Sequence, residues 1–225
     1  MVRVAVAWSG GKDSALALHD VMQRRDMTVD RLVTTVAAEH DRVSIHGVRT
    51  ELLRAQADAM GVPLDPLELP PGYTRADHDA AMRDALDRLA GRGVDAVVYA
   101  DIFLADVRRD REQLLADAGL DGLWPLWNRD TASLADRFID AGFAATLVCV
   151  DTDRLDPSFA GRRYDRDLLQ DLPAAVDPCG EHGAFHTFVH DAPVFDGELA
   201  VRTGDTVLRD TEGGTMAYAD LVADR

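Results

Sequence analysis

The sequence predicts a doubly wound α/β fold built on a parallel sheet, with a smaller α+β domain after it. Three observations predict this. Over the first 125 residues, short apolar runs alternate with amphipathic stretches in the order β-α-β-α-β-α-β-α. Polar clusters follow the first and fourth apolar runs, at strand ends where such folds bind ligands. Beyond about residue 125 the periodicity loosens, which places a boundary between a domain over 1–125 and a second over 126–225.

The elements follow in order. Residues 2–8 are mostly apolar, as a strand buried on both faces requires. A helix is expected over 14–25, with Leu16, Leu18, Val21 and Met22 at its apolar positions. Residues 32–37 form the second strand and 46–60 a helix, stopped by Gly61 and Pro63. A third strand lies over 64–69, weakened by Pro66, then an amphipathic helix over 74–89 ending at Gly91 and Gly93. A buried strand over 94–100 and a helix over 105–118, stopped by Gly119, complete the pattern. Further on, 131–141 reads as a helix and 144–150 as a strand extending the sheet. Residues 151–192 show little periodicity, and 193–210 suggest a hairpin around Asp196-Gly197.

Composition narrows the function. No apolar run is long enough to cross a bilayer, and the short apolar N-terminus reads as a strand and not as a signal peptide, so a cytoplasmic protein is expected. Two cysteines without a Cys-x-x-Cys pair fit a reducing compartment. A net charge of -16 repels phosphate backbones and argues against nucleic acid and anionic membranes as partners. A bound nucleotide then needs a local positive pocket. Of the 24 basic residues only Lys12 is lysine, and it lies in Ser9-Gly10-Gly11-Lys12-Asp13-Ser14.

A Gly-Gly turn between a buried strand and a helix presents backbone N–H groups to an anion. Lys12 adds a compact charge, and Ser9 and Ser14 add hydroxyl donors. Asp13 suits such a loop only if it points away from phosphate or helps to hold Mg²⁺. The Walker A pattern is absent, because the position of its first glycine is Val6, and so is Gly-x-Gly-x-x-Gly.

This loop resembles the hallmark of the PP-loop ATP pyrophosphatase superfamily. Four further segments make the chain similar to the diphthine–ammonia ligase family. They are Ile45-His46-Gly47; Tyr99-Ala100-Asp101-Ile102 with Asp106, Arg108 and Arg109; Pro125-Leu126-Trp127; and Cys179-Gly180-Glu181-His182-Gly183-Ala184-Phe185-His186-Thr187. They span nearly the whole chain.

The resemblance implies a Rossmann-like ATP domain of the PP-loop type and a smaller domain completing the substrate site. It implies adenylation of a carboxylate by ATP, release of pyrophosphate, and transfer to ammonia. The acceptor would be diphthine on an elongation factor, or a smaller carboxylate. By position, Ser9, Gly10, Gly11, Lys12, Asp13, Ser14 and Arg109 would bind the nucleotide. Lys12, Asp101, Glu181 and His186 would be catalytic, with Asp101 also a candidate for Mg²⁺. His46, Glu181, His186 and Thr187 would face the substrate. The chain departs from the family pattern at Ala100, usually Gly, and at Ala184, usually Glu. The second departure bears on the acceptor and not on ATP. Two alternatives stand beside the ligase: a PP-loop enzyme adenylating another small substrate, and a nucleotide sensor without turnover.

Cys179, His182 and His186 invite a zinc reading, but their spacing lacks the helical His-Glu-x-x-His arrangement and does not close a tetrahedral set. Cys149, in a strand-like run, is expected in the core, as are Trp124 and Trp127.

Overall fold

The computed structural model describes residues 1–39, 42–43, 47–211 and 214–224. The chain divides into two compact units. The first comprises Met1–Ser9, Asp13–Ser44 and Gly61–Asn128; the second comprises Gly10–Lys12, Ile45–Met60 and Arg129–Arg225. Two early segments therefore belong with the C-terminal part.

The first unit is the expected parallel α/β layer. Its strands are β1 (Val2–Ala7), β2 (Met27–Ala37), β3 (Arg42–Val43), β4 (Leu64–Leu69), β5 (Ala96–Val98) and β6 (Asp121–Leu123). The parallel strands lie in the order β4-β2-β1-β5-β6, and β3 runs antiparallel on β2. Strand order reverses between β1 and β5, so this is the topological switch point of a doubly wound sheet. Ser9 follows one of these strands and Asp101 the other.

The core of this unit joins Ala5 and Val97 of the sheet to Leu86 and Leu89 of α3 (Arg75–Gly91) and Leu115 of α4 (Ala105–Ala118). Local chemistry fixes the helix ends. Thr74 and Asp77 form a reciprocal capping box at the start of α3. Gly119, at φ 70°, ends α4 in the left-handed conformation. The first helix, α1, spans Lys12–Met22, two residues earlier than the periodicity suggests, because the polar Lys12 and Asp13 form its first turn.

The second unit holds a four-stranded antiparallel sheet in the order β8-β7-β10-β9. Its strands are β7 (Ala144–Asp151), β8 (Phe185–Asp191), β9 (Val201–Thr211) and β10 (Gly214–Ala223). Helices α2 (Thr50–Met60), α5 (Thr131–Asp140) and α6 (Arg166–Asp171) belong to this unit. A ring cluster of Phe143, Phe138, Tyr164 and Phe185 forms part of its core, with successive centroids 4.8 to 6.1 Å apart.

Three expectations need correction here. The 144–150 strand belongs to this second sheet and does not extend the first. The hairpin is β9–β10, not a turn at Asp196-Gly197. The stretch 151–192 contains α6 and the almost wholly buried β8, whose His and Thr residues mask its strand character. Among the described residues no helix is long and apolar enough to cross a membrane.

Candidate nucleotide and acyl-transfer site

The turn after β1 is built by close packing within the second unit. Gly10 has φ 76°. A Cβ there would come within 2.5 Å of the Leu53 side chain and 2.9 Å of Gln56 Oε1, so only glycine fits. The Gly10 carbonyl accepts two hydrogen bonds, from the Val189 N–H at 2.9 Å and from Gln56 Nε2 at 3.0 Å. Gln56 Nε2 also donates to the Val189 carbonyl at 2.6 Å. One fully buried carboxamide thus joins α2, the turn and β8.

Lys12 continues the same connection. Its backbone N–H donates to Thr187 Oγ1 on β8 at 3.0 Å. Its side chain is only 4% exposed and its ammonium donates to the Cys179 carbonyl. The Tyr164 and Phe185 ring centroids lie 5.9 and 5.8 Å from Nζ. Aromatic faces and a carbonyl oxygen are the neutral partners that make burial of a cation tolerable.

The segment contacted by Lys12 is itself tightly organised. Asp177 accepts from the Thr131 hydroxyl at 2.7 Å and from the backbone N–H groups of Cys179 at 2.8 Å and Glu181 at 3.4 Å. Tyr164 donates to the Pro178 carbonyl at 2.7 Å. Gly180, His182 and Gly183 all have positive φ. A side chain at Gly180 would collide with the Phe185 carbonyl at 2.7 Å. His182, at φ 60°, is one of two non-glycine residues described with a positive φ, a conformation that costs energy and clusters at functional sites. Glu181 heads the short turn Glu181–Gly183, and His186 and Thr187 lie on β8. Ala184 is buried, and its carbonyl accepts from the Asp151 N–H at 3.0 Å.

Other candidates lie in the first unit. Ser9 and Ser14 share a hydrogen bond of 3.1 Å. Asp13 occupies the first turn of α1. Asp101 is mostly buried and forms an ion pair with Arg111, while Trp124 Nε1 donates to the same carboxylate oxygen at 3.1 Å. Arg109 lies on the exposed face of α4 and pairs with Asp106 at 3.0 Å. His46 lies outside the described residues.

The structure therefore brings Gly10, Lys12 and Thr187 together, with Lys12 also reaching Cys179 beside Glu181. It gives Asp101 and Arg109 different partners from one another. Sequence reasoning missed Gln56 and Asp177. The signal for Gln56 was a polar residue among Leu52, Leu53 and Ala57 on the buried stripe of α2. For Asp177 it was the turn-forming Asp-Pro pair.

The donors of the turn suit phosphate: a lysine ammonium, serine hydroxyls and a glycine-lined backbone. Magnesium on a nucleotide takes most of its ligands from phosphates and water and needs only one or two protein carboxylates. Among the described residues no three His, Cys, Asp or Glu side chains form a group able to hold a metal ion. Burial pushes the Cys149 thiol up to about 12, so it remains protonated and fits its expected place in the core.

Residues 2–121 match the family described as diphthamide synthase N-terminal domain, and 130–217 match diphthamide synthase C-terminal domain. The chain is similar to a diphthine–ammonia ligase of Rattus norvegicus, with 26% identity over 98% of this chain and 91% of the relative. It is also similar to one of Danio rerio, with 28% identity over 92% and 89% respectively. A solved structure described as a predicted subunit of a tRNA methyltransferase from Methanocaldococcus jannaschii aligns with 85% of this chain and 100% of that one, at 15% identity and a TM-score of 0.43.

Proposed function

Since the chain belongs to the diphthamide synthase family and is an ATP-dependent carbon–nitrogen ligase, we propose that it works by adenylation. A substrate carboxylate attacks the α-phosphorus of ATP and pyrophosphate leaves. Ammonia then attacks the acyl-adenylate, AMP leaves, and an amide results. The relatives' names specify diphthine and ammonia, and diphthine on an elongation factor is the proposed acceptor here. The buried Ala184, where the family pattern has Glu, supports a second reading, in which the same chemistry serves another carboxylate.

The observation that carries the proposal is the direct tie between the turn and the β8 motif: the Lys12 N–H on Thr187 and the Lys12 ammonium on the Cys179 carbonyl. In this reading Ser9, Gly10, Gly11, Lys12 and Ser14 hold the pyrophosphate end, and α1 adds the positive end of its dipole. Glu181 and His186 serve the acceptor and ammonia. Ammonium must lose a proton before it attacks, and either side chain is of a type that accepts one. Asp101 and Arg109 are assigned to the fold, given their ion pairs. Magnesium would arrive on the nucleotide and screen its phosphate charge.

The test is to incubate the protein with Mg²⁺-ATP, ammonium and a diphthine-bearing elongation factor, and to resolve the nucleotides by ion exchange. AMP with pyrophosphate supports adenylation. ADP with phosphate overturns it. Nucleotide bound tightly but returned intact favours a sensor.

A further inference from the structure

The geometry points to Gln56 as the positioning residue that orients the phosphate-facing peptide of the turn. Its carboxamide holds the Gly10 carbonyl and so aims the Gly11 N–H. This inference rests on the phosphate-binding role of the turn proposed above.

Both acceptors of Gln56 Nε2 are carbonyl oxygens, of Gly10 at 3.0 Å and Val189 at 2.6 Å. Only an NH₂ group can satisfy two carbonyls, so the orientation of the carboxamide is determined by its partners. The side chain is fully buried, where a misplaced polar atom is costly. The Val189 N–H binds the same Gly10 oxygen at 2.9 Å, so that oxygen is held from both α2 and β8.

The consequence lies one atom along the chain. Among the described residues no peptide bond is cis, so the Gly10–Gly11 peptide is trans and planar. Its N–H then points opposite to its C=O. Holding the Gly10 oxygen toward α2 and β8 directs the Gly11 N–H away from both. If this peptide flips, a carbonyl oxygen replaces an N–H donor and repels the anion. Glycine at position 10, at φ 76°, offers little resistance to such a flip. The hydrogen bonds to its oxygen must therefore provide the resistance.

Two measurements test this. In the wild-type protein, inorganic pyrophosphate is titrated while the backbone amides are followed by ¹⁵N–¹H NMR. The Gly11 amide proton is expected to move downfield as it meets phosphate oxygen. An unmoved Gly11 resonance, with other amides of the turn shifting, overturns the inference while leaving the phosphate loop intact. If no amide of the turn responds, the phosphate-loop reading fails and the inference with it. Second, Gln56→Met keeps the side-chain length and removes both donors. Mg²⁺-ATP binding by calorimetry is expected to weaken roughly tenfold or more, and KM for ATP to rise more than kcat falls. The Gly11 resonance should already be displaced without nucleotide. A folded Gln56→Met protein that binds ATP like wild type overturns the proposal. Should the variant fail to fold, the wild-type titration decides alone.

Discussion

Thr187 Oγ1 lies 3.0 Å from the backbone nitrogen of Lys12, a hydrogen bond between residues 175 positions apart. Both ends are buried, so neither has water as a substitute partner. Thr187→Val preserves shape and removes the acceptor. It should cost about 1–3 kcal/mol, the penalty of a buried unsatisfied N–H. Thr187→Ser, which retains the hydroxyl, should cost less. Urea unfolding of the two variants checks this. Equal stability of wild type and Thr187→Val would show that the bond contributes nothing.

Lys12→Met tests the ammonium with little change in volume. Because Nζ reaches the Cys179 carbonyl and lies near two aromatic rings, the side chain supports the fold beside its proposed role at the nucleotide. A phosphate contact alone would predict an unchanged melting temperature. The structure predicts two losses together. AMP formation should fall roughly tenfold or more, as expected for a lost charge-assisted contact. Thermal stability should fall too. Normal activity with an altered melting temperature would leave Lys12 a structural residue only.

The parallel sheet was legible because its signals are local: buried runs such as Ala96–Val98, glycine stops such as Gly119, and a polar loop after the first strand. The second unit was less so. Its β8 carries His186, Thr187 and His190, residues that disguise a buried strand until their partners are known. The allocation of Gly10–Lys12 to that unit depends on contacts with Gln56, Thr187 and Val189, which no local pattern encodes. Motif residues of the candidate site were nameable in advance. The residues that hold them, Gln56 and Asp177, were not, because their roles arise from carbonyl and amide groups far along the chain.

His190 should make stability sensitive to mild acid. Its Nδ1 is buried without a hydrogen-bond partner, 3.6 Å from Glu198 Oε1. Burial lowers its pKa from the ordinary 6.5, outweighing Glu198 and Asp191, which raise it, while Arg163 lowers it further. The unfolded chain therefore binds the proton more readily than the folded one. This contribution is fully present above about pH 6.5 and is lost as pH falls from there toward the folded pKa. His190→Gln removes it. The difference in melting temperature between wild type and variant should shrink from about pH 7.5 to about pH 5.5. A constant or widening difference would mean that Glu198 dominates the folded-state titration.

Asp101→Asn separates a metal or catalytic role from a structural one. The Asp101 carboxylate is 11% exposed and pairs with Arg111, which is 33% exposed, while Trp124 Nε1 bonds to the same oxygen. Arg111 also lies 4.4 Å from the Tyr99 ring centroid, and Tyr99 stacks on Trp124 at 5.6 Å. Losing the charge weakens the whole assembly, though asparagine can still accept from Trp124. The cost should be about 1–2 kcal/mol once solvent screening at Arg111 is allowed for. The Mg²⁺ concentration giving half-maximal AMP formation should stay where it is, because the carboxylate already has its cation. A marked rise in that concentration, with stability unchanged, would instead place Asp101 on the metal and return it to the reaction.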